Sequence, residues 1–228
     1  MGEYIKGIDV SRWQGKINWE AVRADGIFFA FVKAGGSDCG FYTDPYFVEN
    51  IQGAHAAGIR VGAYWYVGAK CVTYDDGFAD GERMADICGA FRDILDLPII
   101  IDFEAPPIRD KAGNTAAVRG FCAAVSASGF VPGVYASEIS GFRDRLNLAA
   151  LPDIFKWCAK WSAASPNSLD WSVWQQTSEG RVDGIAGPVD IDYFKPEAWE
   201  AAADSDQNKF KEALAELRRA IEKVEALL

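Results

Sequence analysis

One histidine, His55, and two methionines are all that 228 residues hold of those types. A single imidazole makes a three-histidine zinc site and most Ser-His-Asp machinery hard to assemble, and leaves a Cys-His hydrolase built on His55 as a remote option. His55 itself, in AHAAGI, reads as a surface or packed residue at a helix end. The five cysteines, Cys39, Cys71, Cys88, Cys122 and Cys158, are odd in number and widely spaced, with no CxxC pair to grip a metal. They read as mostly buried free thiols. No apolar run approaches the roughly 18 to 20 residues of a membrane span. The opening MGEYIKGIDV lacks the basic start and apolar stretch of a secretory leader, so the chain as given is expected to be soluble, with no membrane partner. Positive charge is also scarce, 23 basic against 33 acidic side chains for a net charge of −10. Such a surface repels phosphate backbones, and no basic stripe precedes the C-terminal tail, so nucleic acid is not an expected partner. No G-x-G-x-x-G follows the first strand and no Walker A pattern occurs, which removes local support for a dinucleotide or nucleotide site.

What is present is apolar surface. Half of the residues are hydrophobic and 13% are aromatic, enough for one sizeable core. Short β-rich runs, KGIDV, IFFAFVKA, RVGAYWYV, LPIIIDFE and VPGVYAS, each follow a turn or helix-stop signal. Helical patterns separate them over residues 19–24, 45–57, 78–95 and 115–128. Apolar strands alternating with helices are what a parallel sheet covered by crossovers requires. The next candidates, FKWCAKW, WSVWQQT and GPVDIDYF, are spaced too closely for full crossover helices and must be joined mostly by loops. The expected fold is α/β: an irregular (β/α) TIM-like barrel, residues 1–199, of five β/α units and then three mostly loop-linked strands. An open doubly wound sheet is the alternative. Residues 200–228 read as a C-terminal amphipathic helix, with Phe210, Leu214, Leu217, Ile221, Val224 and Leu228 on one narrow stripe. Docking on the barrel, a linker role and weak self-association all suit that stripe.

The run PIIID ends in Asp102, Phe103 and Glu104. Alternation along a strand sends Asp102 and Glu104 to one side, about 6.5 to 7 Å apart along the chain. That end of a barrel strand is the active-site rim, and two carboxyls leaving an apolar strand together raise the proton affinity of at least one. A strand ending in polar residues at a solvated loop is the bland alternative. Asp9 ends the first strand, where it also suits a turn residue bonding its own backbone ahead of Ser11. Asp190 and Asp192 flank Ile191 in the last strand. First and last strands become neighbours when a barrel closes, so these acids reach the same mouth as Asp102 and Glu104. Trp13, Tyr64, Trp65, Tyr66, Tyr135, Trp157, Trp161 and Trp174 gather beside the same strand ends, about half of them expected in the core. Acids ringed by flat aromatic faces, with an amide such as Gln175 beside them, suggest a carbohydrate.

The blocks GIDVSRWQGKINWEAVRADGIFFAFVKA, GAYWYV, PIIIDFE, PGVYAS, KWCAKW and SVWQQTSEGRVDGIAGPVDIDYF, in that order, resemble those of glycoside hydrolase family 25, the lysozymes of the Chalaropsis and phage-endolysin type. The similarity spans roughly residues 4 to 196. It implies an N-acetylmuramidase that cuts the β-1,4 bond between N-acetylmuramic acid and N-acetylglucosamine. Peptidoglycan glycan strands are then the partner, and the place of action is extracellular or the bacterial cell wall, by secretion or phage delivery. By the same carry-over Glu104 is the general acid/base, and Asp102 orients or stabilises the substrate 2-acetamido group if that group attacks the anomeric carbon, which is the favoured route beside a covalent aspartate ester and inversion through water. Asp9 and Asp190 complete the acidic cluster. Tyr64 and Tyr135 match aromatic positions of the family cleft, with Trp65, Trp161 and Gln175 as further substrate-binding candidates. Asp192 falls where relatives often carry Asn and stays outside the catalytic set. No metal or organic cofactor is implied. A non-catalytic glycan-binding module and a chitinase-like glycosidase are the rival functions.

Overall fold

The computed structural model describes residues 4–151 and 154–202. The chain order is β1 (Ile5–Val10), α1 (Trp19–Ala24), β2 (Phe29–Gly36), β3 (Tyr42–Thr43), α2 (Phe47–Ala56), β4 (Arg60–Tyr66), α3 (Tyr74–Gly89), β5 (Leu95–Asp102), α4 (Lys111–Ala127), β6 (Pro132–Ser137), β7 (Phe155–Ala159), β8 (Val173–Gly180) and β9 (Val189–Phe194). The expected stripe from Phe210 to Leu228 lies outside the described residues. Among those described, no helix is long and apolar enough to cross a membrane.

Eight of the strands form a closed barrel, in the order β1-β9-β8-β7-β6-β5-β4-β2, with β1 pairing β2 to shut it. Closure excludes the open doubly wound sheet, because every one of the eight has two neighbours. Strands β1, β2, β4, β5, β6, β7 and β8 run parallel to one another, while β9 is antiparallel to both β8 and β1. An antiparallel return needs no crossover helix, which is why β9 follows so soon after β8, from Gly180 to Val189. The ninth strand, β3, pairs antiparallel with Gly35 and Gly36 beyond the barrel rim. Two residues are too short for a periodic pattern, and nothing in the sequence announces it.

Helix ends follow their caps. Asn18 accepts from the Ala21 N–H ahead of α1, Thr73 and Asp76 form a reciprocal capping box at α3, and Asp110 accepts from the Gly113 N–H at α4. These caps start α3 and α4 about four residues earlier than their apolar patterns suggest.

The core has two layers. Ile8, Val10, Val32, Val61, Ile99, Ile101 and Val134 face outward beneath the helices. Inside the barrel, Phe29, Phe31, Ile100, Trp157, Val173 and Phe194 interlock. Gly7 and Gly62 stand inside as well, and a Cβ on either would overlap the rings of Phe29 and Phe31. Small residues opposite large ones are how such an interior is filled. Residues 196–202 are helical, and Trp199 closes the barrel floor against Phe29 and Phe194.

The β7–β8 connection is tied down by a buried carboxylate. Glu138, in a π-helical turn after β6, accepts from the Asn167 and Ser168 N–H groups at 2.8 and 3.0 Å and from the Ser168 hydroxyl, and pairs with Lys160 at 3.2 Å. Burial alone would raise its pKa, but those donors outweigh it and hold the group at about 2. A lowered carboxyl pKa stabilises the fold above the unfolded value of 4.5, and that contribution is lost as pH falls from 4.5 towards about 2. Glu138→Gln is expected to cost about 1.5 to 3 kcal/mol at neutral pH and to flatten the acid limb of a denaturation series across that window.

Candidate active site

A cleft of about 490 Å³ opens at the end of the barrel where the seven parallel strands finish. Strand β9 runs the other way, so its start, not its end, reaches this mouth. The register pairs Asp190 directly with Asp9 of β1, and two acids 181 positions apart in sequence face each other across adjacent strands. Asp102 ends β5, and Glu104 follows two residues later. All four line the cleft.

They are not equally wet. Asp9 and Asp102 are buried, Asp190 is half-buried and Glu104 is exposed at the rim. Asp9 Oδ2 accepts from Gln175 Nε2 at 2.8 Å, and Gln175 Oε1 in turn accepts from the Tyr135 hydroxyl at 2.9 Å and from Trp161 Nε1 at 3.1 Å. Asp9 is therefore a strand residue aimed into the barrel, while Ser11 takes the local role of accepting from Trp13 N–H. Asp102 Oδ1 is buried and meets no donor.

Every carboxyl of the group is pushed towards its protonated form. Burial is the main cause for Asp9 and Asp102, reinforced by Asp190 and Asp192 for the first and by Glu104 for the second. Burial likewise raises Glu104, opposed by Arg145 and Lys33, and lifts Asp190 to about 6. Burial, and then the surrounding acids, raise Tyr64 and Tyr135, which stay phenols with a proton to donate.

The loops around the mouth are pinned. Phe103 is wholly buried and its N–H bonds the Tyr135 carbonyl at 2.9 Å. The proline run after Glu104 is clamped by Arg145 Nε on the Pro106 carbonyl and Asn114 Nδ2 on the Pro107 carbonyl. Asp44 accepts from the Arg12 and Tyr46 N–H groups and fixes the turn that carries Trp13. Trp13 and Trp161 leave large indole faces in solvent beside the cleft.

Tyr64, Tyr135, Trp161 and Gln175 line the cleft as the sequence suggests, although Gln175 is buried and engaged with protein partners. Trp65 is a correction. It points to the other face of β4 from its neighbour Tyr64, because adjacent strand residues cannot share a face, and it is fully buried and donates Nε1 to Asp80 of α3 at 2.8 Å. Lys33, Tyr66 and Trp157 also line the cleft. Lys33 is absent from the sequence-based set, yet its signal is present: it shares inward parity with Phe29 and Phe31 in IFFAFVKA. Its ammonium sits 4.6 Å from the Tyr66 ring centre. A larger groove of about 710 Å³ lies at the opposite end, lined by residues such as Leu97, Arg119, Ile154 and Lys156, and holds none of these converging acids.

Acids of graded depth at the C-terminal mouth of a (β/α) barrel, flanked by exposed indole faces, define a glycosidase-type site. A family model for glycosyl hydrolases family 25 matches residues 8–185, and the chain belongs to that family and is a glycoside hydrolase. It is 30% identical to Lysozyme M1 of Streptomyces globisporus over 208 residues, covering 85% of this chain and 69% of that protein. It is 27% identical to an autolytic lysozyme of Clostridium acetobutylicum, covering 83% of this chain and 56% of that one. The crystal structure of a bacterial lysozyme from Streptomyces coelicolor superposes with a TM-score of 0.70 at 26% identity, over 89% of this chain and 97% of that one.

Lys33 lowers the proton affinity of both Asp102 and Glu104. Removing it in Lys33→Met raises both, so the group at the rim keeps its proton to higher pH. The alkaline limb of kcat/KM is expected to move up in pH, and an unmoved or lowered limb in a pH–rate series would refute that coupling.

Proposed function

We propose that the chain is a peptidoglycan hydrolase acting at the bacterial cell wall. It cuts the β-1,4 bond between N-acetylmuramic acid and N-acetylglucosamine, with Glu104 as general acid/base. The observation that carries this reading is the convergence of Asp9, Asp102, Glu104 and Asp190 with Tyr64 and Tyr135 on one cleft at the barrel mouth. The names of the lysozyme relatives support the substrate.

Glu104 suits the proton transfer because it is raised above the ordinary range and still reaches solvent at the cleft. In the first step its proton passes to the glycosidic oxygen as the bond from that oxygen to the anomeric carbon breaks. The carbonyl oxygen of the substrate's own 2-acetamido group closes on the anomeric carbon and takes up the developing charge. Asp102, buried and with one oxygen free of donors, accepts the acetamido N–H and holds it in line. Water then opens the ring, Glu104 recovers the proton, and configuration at the anomeric carbon is retained. Asp9 and Asp190 hold sugar hydroxyls, while Tyr64 offers a phenol donor and Trp161 a ring face to the glycan, and Tyr135, donating to Gln175, shapes the wall beside them.

Purified protein should release new reducing ends from bacterial walls, with muramic acid at the reducing end of the products by mass spectrometry. Glu104→Gln should lose about a hundredfold or more in rate with wall binding retained. Wall binding without cleavage at any pH would establish a glycan-binding module instead, and cleavage of chitin oligomers in preference to walls would establish a chitinase-like enzyme.

A further inference from the structure

Asp192 lies deeper than the acids that line the cleft. It faces inward from β9, in register with Gly7 of β1 and Gln175 of β8, and none of it reaches solvent. The interior around it is otherwise aromatic and aliphatic, with Phe31, Trp157, Val173 and Phe194 filling the same space. Its Oδ1 accepts the indole N–H of Trp157 at 2.7 Å, while Oδ2 is buried and meets no donor. The groups that face it are Asp9 from β1, Trp157 from β7 and Gln175 from β8, with Asp190 two positions away on its own strand. None of these is a cation. Asp9 is within hydrogen-bonding reach, and its own Oδ2 already accepts from Gln175.

Two ionised carboxylates in contact inside an apolar barrel would repel each other and lose their hydration, and one indole N–H does not offset that. A proton placed between them removes the repulsion and gives the orphaned oxygen a partner. We propose that Asp192 is a protonated carboxylic acid that donates its O–H to Asp9, so that the two side chains hold one proton and one negative charge between them and Asp192 is a positioning residue for Asp9. Asp9 is then gripped from two sides, by the Gln175 amide and by the Asp192 hydroxyl, and presents a fixed anion to the cleft. Burial raises both groups well above the ordinary carboxylate range, and two carboxyls that share a proton titrate as a unit. The pairing is a property of the folded barrel; its bearing on glycan hydrolysis rests on the function proposed above.

The proton has a measurable consequence. The unfolded chain releases it near pH 4, the ordinary aspartate value, and the native pair keeps it to higher pH. Stability therefore falls as pH rises from that value to the raised one, by up to about tenfold in the folding equilibrium per pH unit for one proton. Asp192→Asn preserves an acceptor for Trp157 and an N–H donor for Asp9 but has no proton to lose. Urea unfolding of the full chain across pH should show the variant losing up to about tenfold less per pH unit than wild type, one proton fewer. Asp102, Glu104 and Asp190 contribute alike to both proteins. Equal slopes would overturn the proposal. A second measurement needs only wild type: the assigned side-chain carboxyl carbon of Asp192, followed by NMR with carbon-13 aspartate, should stay at its protonated position through neutral pH. Ionisation near pH 4, about the value of a free aspartate, would overturn the proposal even if the variant failed to fold. Neither readout involves turnover, so failure of the hydrolase reading and failure of the shared proton are separately visible.

Discussion

A carboxyl group taken out of water must find donors, find a cation or keep its proton, and the mouth of this barrel applies that rule at several depths at once. Glu104 at the rim exchanges freely with solvent and has Arg145 and Lys33 nearby. Asp9 and Asp102 sit a layer lower, one held by Gln175 and the other with an oxygen left free. Asp192 is lower still and accepts from an indole beside another acid. Depth divides the work among the acids. Under the proposed mechanism the group that gains and loses a proton in each cycle is outermost, and the groups that keep the cavity in shape are inside.

The aromatic interior makes that division rigid. Trp157 stacks on Phe31 with ring centres 4.7 Å apart, meets Tyr135 edge-on at 4.6 Å and Tyr64 at 5.9 Å, and gives its N–H to Asp192. One side chain thus joins the hydrocarbon floor to the polar layer above it. Ring packing of this kind leaves few alternative rotamers, so the phenols of Tyr64 and Tyr135 are placed before any sugar arrives.

Much of this is legible in the chain itself, for identifiable reasons. The five early strands are continuous apolar runs closed by turn signals, and the end of PIIID announces carboxyls at a rim, because alternation is a property of any strand. Asp9 and Asp190 are legible as partners once closure is assumed. The direction of β9 is not, since alternation is the same read either way, and only pairing partners decide it. Trp65 misleads because GAYWYV offers three adjacent aromatics, and sequence alone does not say which parity faces in. Lys33 is easily passed over because a single charge at the end of an apolar strand resembles the start of a loop. The depth of Glu104 depends on where β5 stops, and strand ends are set by tertiary pairing more than by local preference.

The reversal of β9 also bears on the order in which the molecule comes into being. Its insertion between β8 and β1 joins the two extremes of the barrel, so the cleft has no complete wall until residue 190 has met residue 9. Closing so long a loop comes late for a chain made from its N-terminus, after the early β/α units have had time to collapse locally. A nascent or truncated polypeptide that stops short of the final strand holds Asp9, Asp102 and Glu104 but not Asp190, and the barrel mouth that gathers them is not closed. Completion of synthesis is thereby built into the assembly of the cutting site.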